Sequence, residues 1–194
     1  MRAIALGRSI SIAPSRYNAE RRLFIQGAAF FFLLIGNFAV AQLIPVFEHE
    51  IDLSVYLDAG LTSADVWRGL ESFALEPHKF IEHMHSSRVT PAASDVARRL
   101  LRRLDFNPPV IDDVVELDDE ARRLTIFVPA TDTVAESELV MQIVEARGLL
   151  KIAFRYFGRP LEGAEASQIE GLLHKAWLMK DRDIVRRILA RVMG

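Results

Sequence analysis

The residues with the clearest potential for chemistry form one short histidine-rich stretch. His78, Glu82, His83 and His85 lie within eight residues, in the run Glu-Pro-His-Lys-Phe-Ile-Glu-His-Met-His. Imidazole and carboxylate groups are common ligands of zinc, nickel and copper, and His83 and His85 share a face if the stretch is extended. The group therefore predicts a site for a divalent transition metal.

The spacing of this group favours a simpler interpretation. His-x-x-x-Glu-His has one residue too many for the inverted zinc-hydrolase signature, and the sequence contains no His-Glu-x-x-His. A surface loop with unpartnered histidines, or a contact that responds to pH near the histidine pKa of about 6.5, accounts for the same residues. His49 is predicted on the outer side of the first strand.

Other catalytic motifs are missing from the sequence. It has no cysteine, which excludes disulfides and thiolate chemistry, and it has neither a Gly-x-Ser-x-Gly elbow nor a glycine-rich phosphate loop. An acidic cluster lacks the glycine and the ligand order of a calcium loop, and it fits a solvated turn better; its members are Asp112, Asp113, Glu116, Asp118, Asp119 and Glu120. We therefore predict no catalytic residue, and the sequence does not indicate an enzyme.

Charge is unevenly distributed along the chain. The first 22 residues hold five arginines and one acid, whereas from residue 42 onward 19 Lys and Arg oppose 25 Asp and Glu, a balance of −6. Binding to nucleic-acid phosphates depends on clustered basic charge. The acidic balance of the main part of the chain therefore predicts no nucleic-acid partner.

One long apolar run predicts a membrane segment. Residues 23–47 contain no charged side chain, and a helix over residues 23–44 would be about 33 Å long, close to the hydrocarbon thickness of a bilayer. Pro45 would end this helix. We predict a basic tail at 1–22, a transmembrane helix at 23–45 and a domain at 46–194.

Orientation and processing of this segment follow from its flanks. Arg21 and Arg22 precede it and Glu48 and Glu50 follow it, which predicts N-in, C-out insertion. The domain would then face the periplasm from the bacterial inner membrane, with the mitochondrial inner membrane as the other location. The small-x-small sequence at residues 39–41 leaves open a cleaved signal peptide.

The remaining chain predicts an α+β domain. Alternation over residues 47–57 predicts a strand, and the capping-box pattern Thr62 to Asp65 begins a helix. A weak strand at 79–84, a helix at 90–104 and a hairpin at 114–128 complete a β-α-β-α plus hairpin layer. After a seam near 129–133, three helices follow: one at 134–157, and two that meet near Asp181 as an antiparallel pair.

The helix predicted at 134–157 suggests a partner. Its apolar residues recur at alternating steps of three and four, and a second side is apolar as well, so most of its surface requires cover. We therefore expect an oligomer contact through this helix, and contacts with the bilayer and with other membrane or envelope proteins.

These patterns together lead to one functional expectation and two alternatives. The chain is expected to be a single-pass membrane protein whose extracytoplasmic domain is a non-catalytic assembly or scaffold subunit of a membrane complex, without a cofactor. The first alternative is a secreted or anchored periplasmic metal-binding protein or enzyme that uses His78, His83 and His85. The second is a solute- or lipid-binding domain, which a sizeable apolar pocket would favour.

Overall fold

The computed structural model describes residues 43–92, 98–161, 163 and 165–194. The regular elements of this part are strands and two α-helices, with short 3-10 turns at Ser54–Ala59 and Pro77–Lys79. The strands are β1 Ile44–Asp52, β2 Ser86–Ala92, β3 Arg98–Asp105, β4 Val110–Asp118, β5 Arg123–Val128, β6 Ser137–Ala146 and β7 Leu149–Gly158. The helices are α1 Ser63–Leu75 and α2 Ala166–Met193.

The strands form one antiparallel sheet in the order β1-β7-β6-β5-β4-β3-β2. Strands β2 to β7 are a meander, because each pairs with its neighbour in the chain. β1 pairs with β7 instead, so β1 and β2 lie at opposite edges and α1 is part of the connection between them. The fold therefore depends on a pairing between residues about a hundred positions apart, such as His49 with Phe154.

One face of the sheet, here called the inner face, carries the core. Side chains of a strand point alternately to the two faces, and in β7 Leu150, Ile152, Phe154 and Tyr156 are buried while Arg155 is exposed. Both helices pack against this inner face. α1 buries Val66, Leu70 and Phe73, and α2 buries Asp181, Ile184, Val185 and Ile188.

The predicted start of α1 is confirmed. The Thr62 side chain accepts from the backbone N–H of Asp65, and the Asp65 side chain accepts from the backbone N–H of Thr62. This reciprocal pair satisfies two backbone donors that a helix start leaves without internal partners. The predicted hairpin at 114–128 is also confirmed, as β4 paired with β5.

The predicted transmembrane helix at 23–45 is corrected where the structure describes it. Ile44 and Pro45, its last residues, begin β1 and pair with Gly158 and Phe157 of β7. Residues 23–42 and the basic tail 1–22 lie outside the described residues. Within the part that the structure describes, no helix combines the length and the apolar character needed to cross a bilayer.

Two further predicted helices are strands. Residues 90–104 were expected to be helical, but those described belong to β2 and β3, which pair with each other. Residues 134–157, predicted as a two-sided apolar helix, belong mostly to the hairpin of β6 and β7. The weak strand at 79–84 is also wrong, because this stretch is a 3-10 turn followed by irregular chain.

The C-terminal part is helical, as expected, but it has one helix where two were predicted. The two helices expected to meet near Asp181 are one continuous helix of 28 residues. The expected α+β layer with a helical C-terminal part is therefore wrong: the fold is a seven-stranded antiparallel sheet, in the described residues, with a long C-terminal helix. Residues 129–133, the expected seam, connect β5 and β6, which are neighbours in this sheet.

Candidate acid–base site beneath the C-terminal helix

A polar cluster lies in the core between β1, β7 and α2. Asp181 is fully buried, and its Oδ2 accepts a hydrogen bond of 2.6 Å from the Tyr156 hydroxyl. His49 Nε2 lies 2.8 Å from the same oxygen. A carboxylate oxygen only accepts, so this contact places the imidazole proton on Nε2. Two donors therefore converge on Asp181 Oδ2.

The other two polar atoms of this cluster lack hydrogen bonds. Asp181 Oδ1 and His49 Nδ1 are buried, and no described residue donates to or accepts from either of them. Buried polar atoms are nearly always paired, because leaving one unpaired costs about 1–3 kcal/mol. The cluster thus has two buried acceptor atoms without hydrogen bonds, Asp181 Oδ1 and His49 Nδ1.

Sheet register and helix spacing bring these side chains together. Phe47, His49 and Ile51 are alternate residues of β1, so all three side chains point to the inner face. In β7 Tyr156 pairs with Phe47, and Phe154 pairs with His49. Asp181 lies on the side of α2 that also buries Ile184, Val185 and Ile188. An acid at spacing i, i+3, i+4 and i+7 with apolar residues must face the core.

Aromatic rings stack on two members of the cluster, His49 and Tyr156. Trp177 of α2 stacks on Tyr156 with a centroid distance of 4.5 Å, and Phe154 stacks on His49 at 4.8 Å. His174, one turn before Trp177, stacks on Phe47 at 4.3 Å. Such contacts hold the phenol and the imidazole in one orientation, which an acid–base site requires.

The electrostatics keep the phenol protonated. Burial of Tyr156, with the adjacent Asp181 charge and the hydrogen bond to it, raises the pKa of the Tyr156 hydroxyl far above its ordinary value of 10.0. The hydroxyl is therefore a neutral donor at every physiological pH. The ammonium of Lys180 lies 3.6 Å from Asp181 Oδ1 and 5.2 Å from the centroid of the Tyr156 ring.

Lys180 also lines a groove beside α2. This groove has a volume of about 580 Å³, and Phe80, Ile81 and Ile184 form its apolar wall. A second groove of about 510 Å³ lies along α2 where it contacts the end of β1, with Ile51, Leu53 and Leu189 among its lining residues. Lys180 thus connects the first groove to Asp181, whereas Asp181, Tyr156 and His49 are not among the residues that line this groove.

The structure records a different contact for each of the predicted metal ligands His78, His83 and His85. His78 Nδ1 is 2.8 Å from Ser87 Oγ, and the exposed His83 lies 3.9 Å from Glu82. The backbone N–H of His85 donates to Asp105. Among the described side chains, no group of three or more His, Cys, Asp or Glu is arranged to hold a metal ion. The metal site at His78, Glu82, His83 and His85 stays a prediction. Two of these residues, Glu82 and His83, line the first groove.

The sequence interpretation missed the buried cluster. His49 was expected on the outer side of the first strand but points inward. Tyr156 was expected in the helix at 134–157, and Asp181 was expected near the junction of two helices. A detectable signal was present, because Asp181 is the one acid on the apolar face shared by Ile184, Val185 and Ile188.

The comparisons with solved structures define the class of fold. The chain is similar to Ara h 8.0201 (12% identity, 78% of this chain and 99% of that chain, TM-score 0.53). It is also similar to the Zhui aromatase/cyclase from Streptomyces sp. R1128 (8% identity, 78% and 94%, TM-score 0.53) and to a protein from Thermobifida fusca (15% identity, 74% and 93%, TM-score 0.54). The sheet and its C-terminal helix resemble the Bet v1/polyketide cyclase fold.

A family model identifies the chain more narrowly. Residues 56–193, which are 138 of the 194 residues, match the model for AtaL, acetylaranotin biosynthesis cluster protein L. The chain belongs to this family. A search of curated protein sequences found no match.

Fold and family together overturn the functional expectation drawn from the sequence. They contradict a single-pass, periplasm-facing membrane scaffold. The physical reason is that the apolar segments used in that argument, where the structure describes them, are sheet strands whose side chains form a core.

Proposed function

We propose that the protein binds a largely apolar carbonyl compound in the groove beside α2 and catalyses proton transfer on it at Asp181, Tyr156 and His49. Membership of a biosynthesis-cluster family supports a biosynthetic role. The likeness to an aromatase/cyclase, although it concerns the fold alone, supports a reaction of carbonyl compounds.

One observation carries the proposal: the buried carboxylate has both donors on Oδ2 and no hydrogen bond on Oδ1. A network that served stability alone would be expected to satisfy both oxygens. An open carboxylate oxygen in a dry site is a strong acceptor for a proton of a bound molecule. The raised pKa of Tyr156, next to this carboxylate, is a further mark of a functional site.

Each side chain has a separate task in the proposed step. Asp181 Oδ1 takes a proton from the carbon next to a carbonyl group; the C–H electron pair forms the enolate double bond, and the carbonyl π pair moves to oxygen. The Lys180 ammonium, 3.6 Å from Oδ1, offsets the negative charge that develops on the enolate oxygen. Tyr156 and His49 hold the carboxylate through Oδ2. The proton then returns to oxygen or carbon.

Enolisation is the step that ring closure and aromatisation of a carbonyl chain require. A general base at the right position contributes typically 10²- to 10⁴-fold to such a proton transfer. Asp181 is buried, so for a ligand in the groove to reach Oδ1 the Lys180 ammonium must shift from Oδ1 toward the ligand oxygen. Lys180 is half-exposed, and its long side chain can move without disturbing the core.

Deuterium exchange into a simple aromatic ketone tests this function. β-Tetralone in D₂O would be followed by NMR with the full chain and with Asp181→Asn, which keeps the side-chain shape and removes the base. We expect the native protein to accelerate exchange and Asp181→Asn to lower the protein-dependent rate by about a hundredfold or more. Glu170→Gln, a carboxylate change on the same helix, is the matched control.

Two results of the exchange experiment would contradict the proposed function. Equal exchange with native protein and Asp181→Asn, both folded, would remove Asp181 as the base. Binding of β-tetralone without any acceleration of exchange would contradict catalysis and leave a binding protein. Tyr156→Phe and His49→Gln are expected to lower the rate less than Asp181→Asn, because they position the carboxylate.

A further inference from the structure

A second buried charged pair lies on the inner face, on β3 and β4. Arg102 Nε donates to Asp113 Oδ1 at 2.8 Å and Arg102 Nη2 donates to Oδ2 at 2.7 Å. The two side chains are 1% and 2% exposed. Their burial is unusual, because the alternation of β3 otherwise places leucines at the inner positions, Leu100 and Leu104.

The pair leaves one edge of the guanidinium open. Asp113 occupies the Nε and Nη2 edge, and Nη1 is buried without a hydrogen-bond partner in the described structure. A buried ion pair adds little to stability compared with apolar residues of the same size, and an unpaired donor makes it worse. Stability therefore does not explain why an arginine stands here.

Two phenylalanine rings connect this position to the first groove. The Arg102 guanidinium lies 5.6 Å from the centroid of the Phe73 ring, and Phe73 packs edge-on against Phe80 with centroids 5.9 Å apart. Phe80 lines the groove. A ligand that shifted the Phe80 and Phe73 rings would reach Nη1 from the groove.

The distance to the acid–base site indicates the size of such a ligand. Arg102 on β3 and Tyr156 on β7 are four strand steps apart, about 19 Å at about 4.8 Å per step. Between them the inner face is apolar, since Val115, Ile126 and Leu139 form one ladder row that ends at Tyr156. A ligand that reached from one site to the other would be elongated, with a polar group at each end, and would replace packing contacts of this buried face.

We propose that Arg102 is a specificity residue that recognises an anionic oxygen group, such as a carboxylate, at the end of the ligand remote from Asp181. Nη1 donates to that group, and Asp113 holds the guanidinium in place from its other edge. The placement of the ligand rests on the proposed function above, whereas the preference for an anion is a separate property that binding alone can test.

Two fluorescent probes of similar ring structure and different charge provide the test. Anilinonaphthalene sulfonate is anionic and N-phenylnaphthylamine is neutral, and both are titrated into the full chain. The double variant Arg102→Met with Asp113→Leu removes the pair without leaving one buried charge alone. The neighbouring exposed pair on the opposite face, changed as Arg103→Met with Asp112→Leu, is the matched control.

We expect the double variant at 102 and 113 to weaken binding of the sulfonate at least tenfold and to change binding of the neutral probe less than about twofold. Asp113→Asn, which keeps the cation and removes its counter-charge, should tighten the sulfonate. Circular dichroism of each variant verifies folding.

Equal losses for both probes, an unchanged sulfonate affinity, or native protein that binds the neutral probe alone would each overturn the proposal. If neither probe bound native protein, both the anion site at Arg102 and ligand binding in the groove beside α2 would be wrong. If β-tetralone exchange fails while the sulfonate preference holds, the acid–base function is wrong and the anion site stands.

Discussion

Gly69 of α1 lies directly against Ile188 of α2. A Cβ atom added at position 69 would overlap the Ile188 side chain at a separation that real side chains do not reach, and Val192 is also near. Ile188 is fully buried. The absence of a side chain at position 69 thus lets the two helices that cover the inner face approach each other closely.

Replacing this glycine should separate the helices. We expect Gly69→Ala to lower the free energy of unfolding by about 1–3 kcal/mol, because Ile188 is in the core and cannot move away freely. Urea denaturation followed by circular dichroism measures the change.

Gly171→Ala is the matched control for that substitution. Gly171 is exposed on α2, with nothing within 4 Å of an added Cβ. Alanine there should stabilise the protein by about 0.5–1 kcal/mol, since glycine loses more backbone entropy in a helix. The same sign of change at both glycines would contradict the close packing of α1 on α2.

The capping box at the start of α1 gives a second prediction. Thr62→Ala removes the oxygen that accepts from the Asp65 N–H and should cost about 1 kcal/mol of unfolding free energy. Thermal unfolding measures it. Thr133→Ala, at an exposed threonine, serves as the comparison; a loss of similar size there would show that the cap is not the cause.

Glu138 on the outer face of β6 gives a third prediction. Burial, together with the nearby Glu116 charge, raises the pKa of the Glu138 carboxyl above its usual 4.5. Ionisation therefore opposes folding, and this cost appears as the pH rises through the folded-state pKa. Glu138→Gln should stabilise the protein at pH 7 by on the order of 0.5 kcal/mol, since solvent screens a partly exposed group.

Chemical denaturation at two pH values tests that sign. The gain from Glu138→Gln should fade when the pH falls below the carboxyl pKa values of both the folded and the unfolded states. Glu48→Gln, at an exposed carboxylate on the same face, should change stability little at pH 7. A destabilising effect of Glu138→Gln at pH 7 would contradict the assignment.

Glu76 links the end of α1 to α2 and gives a fourth prediction. Its hydrogen bonds from Lys79 and then from Arg191 lower the pKa of the Glu76 carboxyl below 4.5. The ionised Glu76 carboxylate therefore stabilises the folded protein at pH values above its unfolded-state pKa. This stabilisation is lost as the pH falls through the folded-state pKa of Glu76. Glu76→Gln should therefore flatten the acid side of the stability profile, below about pH 5, measured by denaturation across pH.

If Glu76→Gln left the acid side of the profile unchanged, the link between α1 and α2 through this carboxylate would be wrong. Glu120→Gln, in the turn between β4 and β5, is a suitable comparison because Glu120 is exposed there. Its profile should follow that of the native protein.

The predicted helix at 90–104 failed because β3 does not alternate regularly between apolar and polar residues: Leu101 faces outward and Arg102 faces inward. In β3 the inner positions are Leu100, Arg102 and Leu104, so the alternation of apolar and polar residues that indicates a strand is broken at Arg102. The leucines alone also fit a helical spacing. Only the pairing of Arg102 with Asp113, eleven positions later, makes the inner position favourable for a charged side chain.

The helix predicted at 134–157 failed for a different reason. β6 and β7 have apolar residues on both faces, with Met141 and Ile143 inward and Val140 and Val144 outward. A segment that is apolar on both sides carries no clear period of two. Short apolar runs do not distinguish a buried strand from a buried helix, and the neighbouring strands decide between them.

The sequence by itself determined the features that depend on near neighbours. The capping box at Thr62, the β4–β5 hairpin and the helical character of the C-terminal residues all follow from interactions within a few positions. The tertiary structure decided which strands lie side by side, that His49 faces the core, and that Tyr156 and Asp181 meet there. These contacts join residues 25 and 132 positions apart, and their register is set by packing across the whole sheet.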